Sequence, residues 1–203
     1  MVACLDYLGS GTVTPGGHYR VGLKTGKTTV ITGGAAMLCW RWTDSSHLFV
    51  PLRIDVTAEI DTAFGTAQIN DLALFVNRAW STSPSAATAV TFSTGEQKMR
   101  DMGGGMSDLA TFAPVVQIAA TGAVTTGTRV QDTYPVGYGV FTVGNSAGNT
   151  GSLTLYNVAY GLNHPLALTA NEGLEITIPT TQGASGKVVY YVNMKFVVTP
   201  VVS

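Results

Sequence analysis

The sequence predicts an all-β fold, an antiparallel β-sandwich of jelly-roll type with an extended N-terminal arm. Apolar and polar residues alternate over residues 50–60 and again over 188–198, and glycine-rich turns separate about ten short apolar segments. A period of two residues is the mark of a strand with one buried face. Many short strands joined by turns are typical of a sandwich or barrel. A chain of 203 residues is long enough for one such domain.

The first predicted unit is an extended arm over residues 1–28. This segment contains six glycines among scattered apolar residues. It is too apolar for a solvated linker and too rich in glycine for a regular element. We therefore expect the arm to lie on another surface, and residues 29–203 to form a single β-sandwich domain.

Two long strands follow from the alternating segments. The apolar residues of the first are Val50, Leu52, Ile54, Val56, Ala58 and Ile60. Pro51 lacks an amide hydrogen, so that end of the strand is expected at a sheet edge or a bulge. The apolar residues of the second are Val188, Tyr190, Val192, Met194, Phe196 and Val198.

Shorter apolar segments predict the remaining strands. They span residues 29–32, 36–43, 72–80, 88–93, 115–119, 138–143, 152–160 and 174–178. Residues 95–102 are the one place where a helical turn is expected.

Charge is scarce in this chain. Only 11% of the residues are charged, against about a quarter in a typical domain. Much of the surface must therefore be neutral, and a neutral surface is poorly protected against association. The composition favours a protein that covers its exterior with neighbours. The net charge of −1 gives no overall attraction for nucleic acid, so we expect no specific nucleic-acid partner.

The few charges are unevenly distributed along the chain. Residues 1–43 hold four bases and one acid, whereas residues 44–108 hold eight acids and four bases. Attraction between a basic arm and an acidic body would let identical copies associate, and ordinary scatter of a few charges is the alternative. We expect a homo-oligomer, possibly a trimer. The predicted interface residues are Leu5, Tyr7, Leu8, Tyr19, Arg20, Lys24, Lys27, Asp55, Glu59 and Asp61.

Two short motifs resemble catalytic or nucleotide-binding signatures. Residues 144–148 match G-x-S-x-G, but a strand pattern follows Ser146 where a hydrolase needs a helix. We interpret this segment as a hairpin loop. Residues 26–28 read Gly-Lys-Thr, but the glycine of a phosphate-binding loop is absent at Val21 and a strand pattern follows. No catalytic residue is assigned.

The polar face of the first long strand carries carboxylates that could bind a metal ion. Asp55, Glu59 and Asp61 share that face, and two of them, with a third carboxylate from a neighbouring strand, could bind Ca²⁺ through oxygen ligands. A solvated face, or one making ion pairs with a neighbour, is the favoured interpretation. The three histidines, His18, His47 and His164, have no partner at ligand spacing and are assigned structural roles. No metal or cofactor is assigned.

Aromatic residues offer an alternative function, a sugar-binding platform. Trp40, Trp42 and Trp80 are the candidates. Because Trp40 and Trp42 share one strand face with Leu38, core packing is the favoured interpretation.

Cysteines and targeting signals bear on the compartment. Cys4 and Cys39 lie in apolar surroundings and are expected to be buried free thiols. The first residues lack a signal-peptide pattern, and no apolar segment reaches the length of a membrane span. We expect synthesis in a host cytoplasm and no membrane association.

The C-terminal region carries a family resemblance. Residues 165–178 read PLALTANEGLEITI, and a polar loop with Gly186 precedes the final strand KVVYYVNMKFVV. This pattern resembles the ending of many tailed-phage virion proteins, and Asn171, Glu172 and Gly173 match the motif residue by residue. The resemblance implies a β-sandwich or jelly-roll virion component and no catalytic residue.

These observations predict a non-enzymatic virion structural protein. A capsid decoration or cement protein, or a minor capsid protein, fits best, with partners that are other copies of the chain and a major capsid or other virion protein. The alternative is a carbohydrate-binding β-sandwich of a phage tail or fibre. A hydrolase using Ser146 is the least favoured hypothesis.

Overall fold

The computed structural model describes residues 16–29, 31–93, 98–101, 107–144, 146–158 and 165–201. Two antiparallel sheets pack against each other, which confirms the predicted all-β sandwich. Within these ranges the helical structure consists of one 3₁₀ turn, Leu109–Phe112, and a single 3₁₀ residue, Val158. None of the described residues forms a helix with the length and hydrophobicity of a membrane crossing.

The strands divide between two sheets. Sheet A contains β1 (Gly17–Lys24), β3 (His47–Thr62), β6 (Lys98–Asp101), β10 (Gly148–Asn157) and β12 (Lys187–Pro200), in the order β10-β3-β12-β1-β6. Sheet B contains β2 (Ala35–Arg41), β4 (Gln68–Arg78), β5 (Thr88–Val90), β7 (Val115–Ile118), β8 (Val130–Gln131), β9 (Gly137–Val143) and β11 (Gly173–Ile178). Its order is β5-β7-β2-β11-β4, and both β8 and β9 also pair with β4.

The pairing is nested from the ends of the chain inwards. β1 pairs with β12, β2 with β11, β3 with β10 and β4 with β9. Successive pairs alternate between sheet A and sheet B. The pairings of β12 with β3 and of β11 with β4 then join these ribbons within each sheet.

The core lies between the two sheets, where the inward side chains of each strand meet. Its centre is aromatic: Trp40 stacks on Phe49 with ring centroids 5.4 Å apart, and Phe196 packs against both. All three tryptophans are buried, which confirms the core-packing interpretation. Cys39 is a buried free thiol, as predicted, whereas Cys4 lies outside the described residues.

A bulge corrects the predicted inward face at the start of the first long strand. The register of β12 against β3 shifts between Lys195 and Phe196, which lie opposite Arg53 and Pro51. The extra residue is Leu52, so the side-chain alternation changes phase there. Phe49 and Pro51 are therefore buried, whereas Val50 and Leu52 are only half-buried. The predicted bulge at Pro51 is confirmed.

The predicted N-terminal arm is wrong over the part that the structure describes. Residues 17–24 form β1, which lies between β12 and β6 in sheet A. Tyr19, Val21 and Leu23 alternate with exposed residues and are buried in the core of their own chain. Antiparallel pairing along the whole strand offsets the entropic cost of its glycines. Residues 1–15 lie outside the described residues.

Two other local predictions are corrected. Of the predicted strand 29–32, the described residues lie outside any strand, and Thr28 makes an isolated bridge to Val188. The helical turn expected at 95–102 is wrong where the structure describes it, because residues 98–101 form β6 and pair with β1. Edge pairing to β1 satisfies backbone groups that a single helical turn would leave unpaired.

The turn at Asn171–Gly173 connects three strands of sheet B. Asn171 has a positive φ of 67°, its N–H donates to the Trp42 carbonyl, and its own carbonyl accepts the Trp80 N–H. The Glu172 carbonyl accepts the Trp42 N–H. A Cβ at Gly173 would lie 1.9 Å from the Trp40 carbonyl oxygen, so only glycine fits. The motif that carries the family resemblance thus has a structural role within the chain.

Burial of β1 generates a prediction that separates a core strand from an arm. Leu23→Ala should lower the free energy of unfolding by about 2–5 kcal/mol, because it removes buried methyl groups and leaves a cavity. Arg20→Ala, an exposed position on the same strand, should change it by less than about 0.5 kcal/mol. Urea unfolding measures both. Equal, negligible effects would show that β1 does not belong to the core.

Close packing at Gly173 generates a second prediction. Gly173→Ala should destabilise the protein by about 1–3 kcal/mol or more, because the new methyl group collides with the backbone of Trp40 and the ring of Trp80. Gly122→Ala is the matched control, since a Cβ there meets nothing within 4 Å. Thermal unfolding followed by circular dichroism compares them. A Gly173→Ala protein as stable as the control would contradict the tight contact.

Candidate interaction surface

The apolar members of the predicted interface are not available as a group. Leu5, Tyr7 and Leu8 lie outside the described residues. Tyr19 is fully buried, stacks on Phe196 at 5.4 Å and donates its hydroxyl to the Ser107 carbonyl at 2.7 Å. Tyr19 therefore belongs to the core of its own chain, and its prediction as an interface residue is wrong.

The oppositely charged residues of the predicted interface meet partly within one chain. Lys27 Nζ lies 2.7 Å from Asp61 Oδ1, and this hydrogen bond lowers the pKa of Asp61. Glu59 accepts the Tyr191 hydroxyl at 2.6 Å. Attraction between arm and body thus occurs inside the molecule. Contact of these residues with a second copy stays a prediction.

Asp55 is likewise engaged by its neighbours. Its carboxylate accepts Arg53 Nε at 2.7 Å and the Thr154 hydroxyl at 2.6 Å. Burial opposes ionisation, but these hydrogen bonds together with the Arg53 and Lys195 charges lower the pKa of Asp55. Across the described part of the chain, no three His, Cys, Asp or Glu side chains are placed to hold a metal ion.

Basic residues form a row across the outer face of sheet A. Arg20 of β1 lies directly opposite Lys195 of β12, which lies opposite Arg53 of β3. Arg20 and Lys195 are exposed, and Lys24 lies on the same outer face with its ammonium 5.2 Å from the Tyr191 ring centroid. This face is thus charged and hydrated.

The flank formed by β9 is apolar, in contrast to the charged outer face of sheet A. The structure exposes Ile69 by 60%, Tyr134 by 80% and Tyr138 by 55%, together with Val136 and Val140. These five residues are called the β9 surface below. Exposed large apolar side chains grouped in this way mark interaction sites more often than isolated ones do.

Alternation along β9 explains why these side chains point outwards. Phe141 and Val143 enter the core, whereas Tyr138 and Val140 face solvent. On the inner side, a Cβ at Gly137 would lie 1.8 Å from the Leu155 carbonyl oxygen. The absence of side chains at Gly137 and Gly139 lets β10 approach closely and close this flank of the sandwich. The apolar residues of β9 that remain exposed are those on the outer side.

A hydrogen-bond network holds the Tyr138 ring in place. Its hydroxyl donates to Asp71 Oδ2 at 2.5 Å, and this bond raises the pKa of Tyr138. Asp71 also accepts the Thr180 N–H at 2.8 Å and the Thr180 hydroxyl at 3.1 Å. Burial alone would raise the pKa of Asp71, but these hydrogen bonds outweigh it and lower that pKa. The ring is therefore exposed yet oriented, which reduces the entropy lost on binding.

Ion pairs fix the segment that leads into β9. Glu175 is fully buried and accepts two hydrogen bonds from Arg129, at 2.5 and 2.7 Å, and one from Asn77 at 2.7 Å. Two residues after β8 begins, Asp132 donates its N–H to the Val76 carbonyl and lies 3.5 Å from the Arg78 guanidinium. Bidentate arginine–carboxylate contacts of this kind are geometrically specific. The connection before Tyr134 is thus held against sheet B.

One feature of the sequence indicates this surface, namely a long segment without charged residues. No Asp, Glu, Lys or Arg occurs between Asp132 and Glu172. This uncharged segment includes β9, β10 and Ser146. Ser146 lies in the loop between those two strands, but the hairpin interpretation is wrong, because β9 pairs with β4 in sheet B and β10 pairs with β3 in sheet A. A surface without charged residues is poorly protected against association.

The Asp71 network generates a prediction for acid stability. The pKa of Asp71 is lowered in the folded protein, so its carboxylate stabilises the fold above the unfolded pKa of about 3.9, and this contribution is lost as the pH falls through the folded pKa. Between about pH 5 and pH 3, wild type should lose more stability than Asp71→Asn. Urea unfolding at both pH values measures this, with Asp132→Asn as control. Equal acid sensitivity of wild type and Asp71→Asn would contradict it.

No protein-family model, curated protein or solved structure matches the chain.

Proposed function

We propose that this chain is a non-enzymatic structural subunit of a virus or phage particle, which works by assembling with other copies of itself. The observation that carries the proposal is the β9 surface, an exposed apolar patch of which all members except Ile69 lie in a segment without a charged residue. A neighbour that covers this surface removes apolar side chains from water, and burial of apolar surface is favourable.

The strand pairing supports a jelly-roll fold. A jelly roll is a long antiparallel ribbon of eight strands wrapped into two sheets, so that the first strand pairs with the last and each following pair lies in the other sheet. The nested pairs β1–β12, β2–β11, β3–β10 and β4–β9 have this order. Viral capsid domains are among the proteins that use jelly rolls, as are lectins and cupins. Because one fold serves many functions, the surface has to decide among them.

The place in a virion is supported by the resemblance at the C-terminal end. Asn171, Glu172 and Gly173 lie in the turn before β11, and the final alternating segment is β12. A decoration or cement protein, or a minor capsid protein, fits a subunit that has one neutral flank and a charged outer sheet face. Its further partner would be a major capsid protein.

The carbohydrate-binding alternative loses its best candidates. A sugar platform needs exposed aromatic rings, whereas Trp40, Trp42 and Trp80 are no more than 1% exposed. The exposed tyrosines of the β9 surface flank an unpaired strand edge, which favours protein contact.

Oligomer mass in solution tests the proposal. Wild type should sediment as a stable oligomer in analytical ultracentrifugation. Tyr138→Ser should weaken association by about tenfold or more, because it removes an oriented aromatic side chain at the contact. Tyr191→Ser is a matched control, since this hydroxyl also donates to a carboxylate, at 2.6 Å, on the outer face of the opposite sheet. A wild-type protein that stays monomeric at every concentration would overturn the proposal.

The position in a particle needs a separate measurement. Peptide mass spectrometry of purified particles should detect the chain at a fixed copy number relative to the major capsid protein, and imaging of those particles should locate its sandwich on the shell. Absence of the chain from particles while it is abundant in the producing cells would contradict a virion role.

A further inference from the structure

Among the described residues, no strand lies beside one edge of β9. β9 pairs with β4 on one side, from Gln68 to Leu74, and no described strand pairs with its other side. None of the backbone hydrogen bonds found outside the paired strands of the described residues involves Gly137–Val143. Unpaired N–H and C=O groups along a strand edge are a template for another strand.

Proteins usually protect such edges, and β9 carries none of the usual protection. Lysine, other charged side chains or a proline within the strand prevent edge-to-edge pairing in natural sheets. β9 reads GYGVFTV, without charge and without proline, and Pro135 lies before it. β5, the opposite edge of sheet B, is a strand of only three residues and offers much less backbone for pairing. β9 is therefore the better template of the two edges.

The absence of charge also indicates which partner would fit. A different protein selected by electrostatic complementarity would have no charge to recognise between Asp132 and Glu172. A second copy of β9 presents the same neutral edge, and two identical antiparallel strands satisfy each other's free backbone groups. Such a contact is isologous and closes with two-fold symmetry.

We propose that β9 pairs antiparallel with β9 of a second copy, across a two-fold axis near Val140, so that sheet B continues from one molecule into the next. The proposal rests on the proposed function and specifies its contact. With the axis at Val140, this residue faces its own copy and Tyr138 faces Thr142. Cross-strand pairs of aromatic and β-branched side chains are favourable on one face of a sheet.

A charged edge residue tests the contact without disturbing the core. Val140 is 51% exposed, so Val140→Lys should leave the melting temperature unchanged, yet place two ammonium groups opposite each other in the dimer. Association should weaken at least tenfold in analytical ultracentrifugation. Ala89→Lys, at an exposed position on β5, is the matched control and should associate like wild type.

Cross-linking tests the same geometry even if the lysine variant is unstable. In a Cys4→Ser background, Val140→Cys should form an intermolecular disulfide under mild oxidation, because directly opposite residues of antiparallel strands bring their Cβ atoms to about 4.5–5.5 Å. Ala89→Cys should not cross-link. A reduced and an oxidised gel of each variant gives the result.

The outcomes separate this contact from the function on which it rests. An oligomer that keeps its mass in Val140→Lys and does not cross-link through Val140→Cys overturns β9 pairing and leaves a structural subunit with another interface. Val140→Lys that associates normally but is lost from particles assigns the edge to a different virion protein, which also overturns the proposal. A monomeric wild type overturns both.

Discussion

The short turn at Asn171–Gly173 is the constraint on which sheet B depends. Its backbone hydrogen bonds join the ends of β2 and β4 to the start of β11, and glycine at 173 lets the strand pass against the Trp40 backbone. Arg41 donates to the Asn171 side chain and Arg78 to Glu172. The turn therefore sets the register of β11 against both neighbours, and β4 in turn offers its other edge to β9.

The charged residues are unevenly distributed between the outer face of sheet A and the flank formed by β9 and β10. The outer face of sheet A carries bases and acids, some of which form ion pairs with each other, as Lys27 does with Asp61 and Arg53 with Asp55. The flank at β9 and β10 has no charges to pair. Water is held more strongly by the first side than by the second.

Local sequence patterns predicted the strands whose two faces differ and failed where exposure depends on distant pairing. Ile54–Ile60 alternates without interruption, every second residue of Val188–Val198 is apolar, and both segments lie within long strands. β1 also alternates, but its glycine content led to the prediction of an extended arm. The strand that stabilises β1 is β12, which lies far away in the sequence, so no local pattern indicates this pairing. Tyr138 and Val140 look like core residues of a strand. Both are exposed because they lie on the outer side of β9, and the sequence of β9 alone does not show which side packs against the core.

β12, the central strand of sheet A, follows every other described strand in chain order. It separates β1 from β3 and pairs with both along most of its length, so β1 has no lasting neighbour on that side until β12 has been synthesised. Contacts between the two ends of a chain form slowly, because a large loop must close first. β1 can therefore complete its pairing in sheet A only after β12 has been synthesised.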